Sequence, residues 1–224
     1  MGPEETAILL KILFIILICY LIGSLPFAYI FTKLKTGYDL RQLNSGNVGA
    51  TNATRTLGKW YGFIIGVLDF TKGLFSVFLA GYLMGADYLE IGHSYALGAL
   101  GVQVLGSFAV ITGHLYPVFL NFQGGKGVAT FFGSLSALCP LAGMVGGEIF
   151  IITLLMRGYV SLGSITAVAS TYVLLIPMIY FYGFPWEYIV FTLIGTIIIT
   201  YKHRGNIKRL LSGQERSVRK KKTV

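Results

Sequence analysis

The sequence is poor in the residues from which metal centres, disulfide frameworks and paired-carboxylate sites are built. Among its 224 residues there are 9 acidic residues, 3 histidines and 2 cysteines. Cys19 and Cys139 both fall in apolar stretches, so we expect packing residues rather than a disulfide. With only His93, His114 and His203 available, no metal cluster is expected, and we predict neither a metal nor a cofactor. No internal repeat is visible.

Polar residues are scarce over long stretches, and the mean hydropathy is +0.71. A hydrocarbon core of about 30 Å accommodates about 20 helical residues, so these stretches predict membrane spans. Glycines at 143, 146 and 147 interrupt one long stretch, which favours two short helices meeting near Gly146. We therefore predict an all-α, polytopic membrane protein with seven transmembrane helices, over residues 6–31, 60–84, 95–120, 128–156 (two helices), 161–182 and 186–201.

Positive charge is almost confined to one side of this predicted topology. All but two of the 18 lysines and arginines fall in alternate connecting segments or in the C-terminal tail; the exceptions are Lys11 and Lys72. Because short basic loops stay in the cytoplasm, we predict a cytoplasmic C-terminus and an outer N-terminus in a multi-pass protein of the cytoplasmic (inner) membrane. The net charge of +9 lies beside the spans, which favours membrane lipids and not nucleic acid as partners. A basic cytoplasmic tail is expected from about residue 216, including the run at 219–222.

Four polar segments lie on the predicted cytoplasmic side. The first polar segment, residues 44–55, collects hydroxyls, amides and glycines and has no acidic residue. If Asn47 caps a short helix, then Thr51, Asn52 and Arg55 share one helix face and offer donors and a fixed positive charge to an anion. The alternative is a solvated connector rich in turn-forming residues. We favour the anion site.

The second polar segment, residues 121–130, places Gly124, Gly125 and Gly127 around Lys126 just before a predicted helix. Glycines let backbone N–H groups approach a ligand, and a helix N-terminus adds positive potential, so the pattern predicts a phosphate cradle. It is not a Walker A loop, because the GxxxxGK[ST] spacing is absent.

The third and fourth polar segments are weaker signals on their own. Residues 157–164 carry serines and glycines that favour helix packing at the mouth of a span. Residues 201–215 place His203 and Asn206 on one face of a short amphipathic helix, with cations suited to the membrane surface.

Two further polar positions fall inside predicted spans. Asp69 and Lys72 are three residues apart in the second span, where ionisable groups usually pair, and we predict a buried ion pair that braces the site. His114, near the end of the third span, is predicted to be a buried histidine bonded to a neighbour.

Taken together, the four polar segments resemble the motifs of the bacterial acyl-phosphate:glycerol-3-phosphate acyltransferases. Residues 45–52 with Arg55 look like the first motif, and residues 113–130 look like the second. Ser161, Leu162 and Ser164, and then the stretch from His203 to Glu215, look like the remaining motifs. The resemblance covers nearly the whole chain, in the right order.

This resemblance implies a single integral membrane acyltransferase domain over residues 1–224. It would transfer a fatty acyl group from acyl phosphate to the 1-hydroxyl of glycerol 3-phosphate, giving 1-acyl-glycerol 3-phosphate and phosphate in phospholipid biosynthesis. Functional coupling to an enzyme that produces acyl phosphate is expected. The implied roles are catalysis by Arg55, Lys126, His203 and Asn206; glycerol 3-phosphate binding by Ser45, Asn47, Asn52, Arg55, Ser161, His203 and Asn206; and acyl-phosphate binding by Gly124, Gly125, Lys126, Gly127 and Thr130.

Two groups could accept the proton that the hydroxyl of glycerol 3-phosphate loses in the reaction. By residue type His203 is the general base. However, its cationic neighbours disfavour a protonated imidazole, so we expect a phosphate oxygen of the donor to take the proton while His203 orients the acceptor.

Other classes of function fit the sequence less well. The HxxxxD signature of soluble-type acyltransferases is absent. A secondary transporter for an organic phosphate would be expected to show paired repeats and broken helices near the midplane, whereas the polar sequence here lies on one predicted face. A scaffold without chemistry would leave the lysine of the glycine loop and the first polar segment unexplained.

Overall fold

The computed structural model describes residues 2–91 and 95–218. His93 and the basic run at 219–222 lie outside the described residues. Within the described part the chain is almost entirely α-helical, as predicted, and it divides into two compact units, residues 1–138 and residues 139–224.

The first unit contains six helices and one short hairpin among its described residues. They are α1 (Pro3–Gly23), α2 (Phe27–Thr36), α3 (Ala50–Leu57), α4 (Lys59–Met84), β1 (Leu89–Ile91), β2 (Tyr95–Leu97), α5 (Ala99–Leu115) and α6 (Val128–Leu138), with 3-10 turns at Leu40–Gln42 and Val118–Leu120. Helix α4 lies at the centre of this unit and packs against α1, α3, α5 and α6.

Close helix contacts in the first unit depend on glycine. A Cβ atom on Gly23 of α1 would overlap the backbone of Val110 on α5, and one on Gly133 of α6 would overlap the backbone of Phe70 on α4. Small residues let helix backbones approach in this way, which is the usual means of packing helices where lipid gives no hydrophobic drive.

The first predicted span is broken in the structure. Helix α1 ends at Gly23, and α2 begins only at Phe27, because Pro26 cannot continue a helix hydrogen-bond ladder. Helix α1 is apolar on every face: Ile15 and Cys19 are buried, while Leu10 and Phe14 are exposed. A helix that is apolar all round and exposed is suited to lipid rather than to water.

The second unit contains the remaining helices of the described chain. They are α7 (Pro140–Arg157), α8 (Val160–Tyr182), α9 (Trp186–Lys202) and α10 (Arg204–Leu211). Helix α8 packs against α7 and α9, and Gly163 brings the start of α8 close to Phe150 of α7.

The predicted break near Gly146 is wrong. Gly146 is buried inside α7, and the chain breaks instead between α6 and α7, at Cys139 and Pro140. Proline fixes the first position of a helix and pushes the residue before it into an extended conformation, which Cys139 adopts (φ −141°, ψ 88°). A glycine within a helix costs only about 1 kcal/mol relative to alanine, so it interrupts far less.

The start of the third predicted span is also wrong. Residues Tyr95–Leu97 form a strand that pairs antiparallel with Leu89–Ile91, and helix α5 begins after Gly98. An apolar run of this length is compatible with either a strand or the first turn of a helix, and Gly98 separates the two here.

Among the described residues, five helical segments are long and apolar enough to cross a membrane. They are Pro3–Thr36, Lys59–Met84, Ala99–Leu120, Pro140–Arg157 and Val160–Tyr182. Helix α9, with 17 residues, and α6, with 11, are shorter. The chain is thus a multi-pass membrane protein by length and composition, while seven spans and the direction of the chain stay predictions.

Candidate functional site

The first polar segment folds into a loop followed by α3. A short helix was predicted here, and it is present, but its N-cap is Gly49 and not Asn47. The predicted shared face also divides, because Asn52 is 1% exposed whereas Arg55 lies on the exposed side of the helix. Ser45 is exposed and Asn47 is partly buried, both in the loop before α3.

Asn52 holds the loop in shape. Its amide nitrogen donates to the carbonyl oxygens of Leu40 (3.2 Å) and Leu43 (3.1 Å), and its amide oxygen accepts from the backbone N–H of Ser45 (3.3 Å). These bonds use much of the amide's capacity on the protein's own backbone. In this structure Asn52 therefore fixes the position of Ser45, and its direct contact with glycerol 3-phosphate stays a prediction.

The second polar segment ends where α6 begins, as predicted. Gly127 directly precedes the helix, has φ +81° and accepts a hydrogen bond from the N–H of Phe131. Lys126, beside it, is partly buried. Lys126 therefore directly precedes the glycine at which the helix begins, and a lysine next to a helix N-terminus is suited to a phosphate group.

The N–H groups of the two preceding glycines bond to the protein itself in this structure, and contact between these glycines and the donor stays a prediction. The N–H of Gly124 donates to the carbonyl oxygen of Leu115 (3.2 Å), and that of Gly125 donates to the carbonyl oxygen of His114 (3.0 Å). Their amides thus bind the end of α5, where helix carbonyls lack partners within the helix. Neither residue could carry a Cβ, which at Gly124 would overlap Pro117 and the backbone of α5.

Thr130, predicted to bind the acyl donor, lies in the first turn of α6. It is fully buried, and among the described residues its hydroxyl has no hydrogen-bond partner. Its backbone packs against Gly73 of α4. Contact between Thr130 and the donor stays a prediction.

The first two polar segments touch each other within the first unit. A Cβ on Gly125 would lie 2.5 Å from the carbonyl oxygen of Val48, so the loop passes against the first segment with no space between them. Just before the two segments, Arg41 makes a further link between these parts of the chain: its guanidinium is paired with Asp39 (2.7 Å) and donates to the carbonyl oxygen of Leu120 (3.3 Å). The lysine of one segment is therefore held at a fixed place relative to the other.

Residues of the third and fourth polar segments meet within the second unit, around Glu215. Ser161 and Asn206 both donate to its Oε1, at 2.9 Å and 2.7 Å, and Arg209 Nε donates to Oε2 at 2.8 Å. Partial burial raises the pKa of Glu215, but these three hydrogen bonds outweigh it and hold the pKa below the ordinary value of 4.5.

Glu215 is the residue whose role sequence reasoning missed. It matched a motif, but nothing indicated that two predicted substrate ligands converge on it. One signal was available: it is the single carboxylate among the many cations after residue 200. A single acidic residue in a strongly basic stretch is a candidate for an acceptor of hydrogen bonds from within the protein.

His203 lies at the junction of α9 and α10 and is 3% exposed. Its Nδ1 is 2.8 Å from the carbonyl oxygen of Ile199. A carbonyl oxygen only accepts, so Nδ1 carries the hydrogen and the other ring nitrogen, Nε2, is an acceptor when the ring is neutral. The same geometry lets a protonated ring donate from Nε2.

A family model described as glycerol-3-phosphate acyltransferase matches residues 13–213. Glycerol-3-phosphate acyltransferase 3 of Dehalococcoides mccartyi is 46% identical over 211 residues, covering 94% of this chain and 97% of the relative. The Aquifex aeolicus enzyme is 40% identical, covering 92% of this chain and 98% of that relative.

A solved structure gives the same result. The crystal structure of PlsY (YgiH), an integral membrane glycerol 3-phosphate acyltransferase, in its glycerol 3-phosphate form matches with a TM-score of 0.80 at 38% identity. The match covers 93% of this chain and 96% of that one. The chain belongs to the glycerol-3-phosphate acyltransferase family of integral membrane acyltransferases.

Proposed function

We propose that this acyltransferase uses acyl phosphate as its donor. The fatty acyl group is transferred to the 1-hydroxyl of glycerol 3-phosphate, and the products are 1-acyl-glycerol 3-phosphate and inorganic phosphate. The observation that carries the proposal is Lys126 at the start of α6, in a loop whose backbone is fixed to α5 and to the first polar segment.

The loop supports binding of the donor's phosphate. Lys126 supplies a positive charge, and the first turn of α6 supplies N–H donors and positive potential at the same place. Gly124 and Gly125 contribute by holding the loop rather than through their own amides. Gly127 contributes its left-handed conformation, which sets the direction of the helix.

Residues of the other segments are assigned to glycerol 3-phosphate. In the first unit these are Ser45, Asn47, Asn52 and Arg55, with the exposed guanidinium of Arg55 as the fixed positive charge. In the second unit they are Ser161, His203 and Asn206. Glu215 orients two of these, Ser161 and Asn206, by accepting from both.

The chemistry requires little beyond positioning and charge stabilisation. The hydroxyl oxygen of glycerol 3-phosphate forms a bond to the acyl carbon, and the bond from that carbon to the phosphate oxygen breaks. Phosphate is a good leaving group, so the protein has chiefly to hold two anions in reach and to stabilise the negative charge that develops on the departing phosphate. Lys126 is the group assigned to that charge.

The hydroxyl proton goes to a phosphate oxygen of the donor in this scheme. His203 then acts as an orienting group, either accepting through Nε2 or, as imidazolium, donating through it. The competing scheme makes Nε2 the base, and the structure is compatible with both because Nδ1 is bound to Ile199.

We propose further that residues 1–224 act as a single acyltransferase domain in the cytoplasmic membrane, with the polar segments on the cytoplasmic face. A water-soluble acceptor and a lipid-soluble donor meet at such a surface. Coupling to an enzyme that makes acyl phosphate follows from the donor's chemistry, because a mixed anhydride hydrolyses readily and is best used where it is made.

The test is a reconstituted assay with purified protein in detergent. With labelled glycerol 3-phosphate we expect 1-acyl-glycerol 3-phosphate to form from acyl phosphate, and inorganic phosphate to appear in equal amount. Parallel reactions with the two thioester donors, acyl-CoA and the acylated form of acyl carrier protein, should give no product. Product formed from a thioester alone would refute the donor assignment but not the family.

A further inference from the structure

Three ionisable side chains form a buried cluster in the first unit. Asp69, Lys72 and His114 are 3%, 4% and 9% exposed. Asp69 Oδ1 lies 2.9 Å from Lys72 Nζ and 3.5 Å from His114 Nδ1, which confirms the predicted ion pair and adds a third member. Burying charge is costly unless it is paired, so the cluster calls for a reason beyond filling space.

Lys72 connects the cluster to the break between α1 and α2. Its Nζ donates to the carbonyl oxygens of Gly23 (3.0 Å) and Leu25 (3.2 Å). The first carbonyl is the last of α1 and the second lies in the break that follows it, and a cation is favoured at the C-terminus of a helix. One end of the cluster is thereby tied to the backbone between α1 and α2.

His114 connects the cluster to the loop that carries Lys126. A Cβ built on Gly125 would overlap His114 Nε2, so the imidazole edge lies directly against the loop backbone. The carbonyl oxygen of His114 also accepts the N–H of Gly125 at 3.0 Å. The ring and the backbone of one residue therefore hold the same glycine.

The cluster has no room for substrate. The cavity that Asp69, Lys72 and His114 share with Pro117 and Gly124 has a volume of about 10 Å³. That is about the space of a single water molecule. The cluster therefore acts on the reaction through the backbone that it holds, and the loop is the part of that backbone that carries Lys126.

We propose that Asp69, Lys72 and His114 form a positioning cluster that sets the backbone of residues 124–127 and so places Lys126 for the donor phosphate. The part concerning the donor rests on the function proposed above. The part concerning the loop does not, because it follows from the contacts of His114 with Gly125.

The test uses Asp69→Asn, which keeps the size of the side chain and removes the charge that orients His114. A spin label on Gln123→Cys, an exposed loop position, reports the motion of the loop. The KM values for acyl phosphate and for glycerol 3-phosphate are measured on the unlabelled enzyme. Asp87→Asn is the matched control, because it breaks another lysine–aspartate pair of the same unit, Lys11 with Asp87 (2.7 Å).

We expect Asp69→Asn to increase label motion and to raise the KM for acyl phosphate by about tenfold, since small misplacements of a binding group are costly. The KM for glycerol 3-phosphate should change little, and Asp87→Asn should change neither quantity. His114→Leu should give the same loop motion, and adding Asp69→Asn to it should have almost no further effect, because both act through one path.

Other outcomes separate the two proposals. If the loop becomes mobile while the donor KM stays the same, the positioning cluster stands and the donor site lies elsewhere. If the loop is unchanged, the cluster does not position it and the inference is overturned. Should Asp69→Asn fail to fold, Asp69→Asn/Lys72→Met removes both charges and leaves none unpaired, and the same label decides the question.

Discussion

Among single residues, Lys126 carries the most specific prediction. Replacing it with alanine removes one charge-assisted bond to the donor phosphate, and such bonds contribute roughly 1.5–3 kcal/mol. We expect kcat/KM for acyl phosphate to fall by at least about tenfold, with a smaller effect on glycerol 3-phosphate. Steady-state kinetics with each substrate varied in turn measures this. Unchanged donor kinetics would move the donor site away from the loop.

Arg55 should act on the other substrate. Arg55→Ala is expected to raise the KM for glycerol 3-phosphate by about tenfold, because a guanidinium is a permanently charged, forked partner for phosphate. Arg55→Lys keeps the charge and loses the fork, so it should restore binding only in part. Since Arg55 is on the exposed side of α3, both variants should change the thermal unfolding midpoint far less than they change this KM. A change in donor KM alone would contradict the assignment.

His203→Gln distinguishes the two proton routes. Glutamine can still donate and accept a hydrogen bond, but it cannot take up a proton. If the donor phosphate accepts the proton, the variant keeps substantial turnover and the pH–rate profile keeps its shape. If His203 is the base, turnover falls by roughly a hundredfold, and the profile loses the fall in rate at low pH that protonation of the base causes.

On the scale of elements, the loop before α6 is the most constrained. Gly125→Ala would drive a methyl group into His114 and the Val48 carbonyl, so we expect strong loss of activity although every charge remains. Gly147→Ala in α7 is the control, because a Cβ there meets nothing within 4 Å. Equal activity of the two variants would show that the loop can shift at little cost.

The junction of α8 and α10 depends on Glu215, and its stability should depend on pH. Because the folded-state pKa of Glu215 lies below 4.5, its contribution is complete above about pH 4.5 and is lost as pH falls through the lower, folded value. Glu215→Gln should therefore lower the unfolding midpoint at pH 7 and flatten its decline in acid. Glu4→Gln, at an exposed terminal position, should do neither.

Features set by residues close together in the sequence could be predicted, whereas features set by contacts between distant residues could not. The start of α6 after Gly127 was predictable, since glycine and the apolar run that follows are local signals. The role of Gly124 and Gly125 was not, because their partners at 114 and 115 are set by how the loop folds back. The break at Pro140 was misplaced because three glycines were given more weight than one proline. The cluster around Glu215 could not be predicted, because it joins Ser161 of the third polar segment to Asn206 and Glu215 of the fourth, about 50 residues further along the chain.

At the scale of the whole molecule, the direction of the chain in the membrane is the open prediction. Single cysteines at Asn47, Gln123 and Gly213 should react with an impermeant reagent only from the cytoplasmic side, and one at Asp87 only from outside. Gln123 serves better than Gly125, which is buried. Cys19 and Cys139 are buried and should give little background. Labelling of Gln123 from outside would overturn the topology.

The tie between Lys72 and the end of α1 has a consequence for biosynthesis. The carbonyl oxygen of Gly23 accepts a hydrogen bond from a lysine that lies 49 residues further along the chain. The first hydrophobic helix is synthesised before that lysine, so it is formed for a time without the hydrogen bond that Lys72 gives to its last carbonyl oxygen. Its final conformation is completed only when the second long helix arrives beside it. The order of translation thereby becomes an order of assembly, and a nascent chain that stops before residue 72 should leave its first span unfinished.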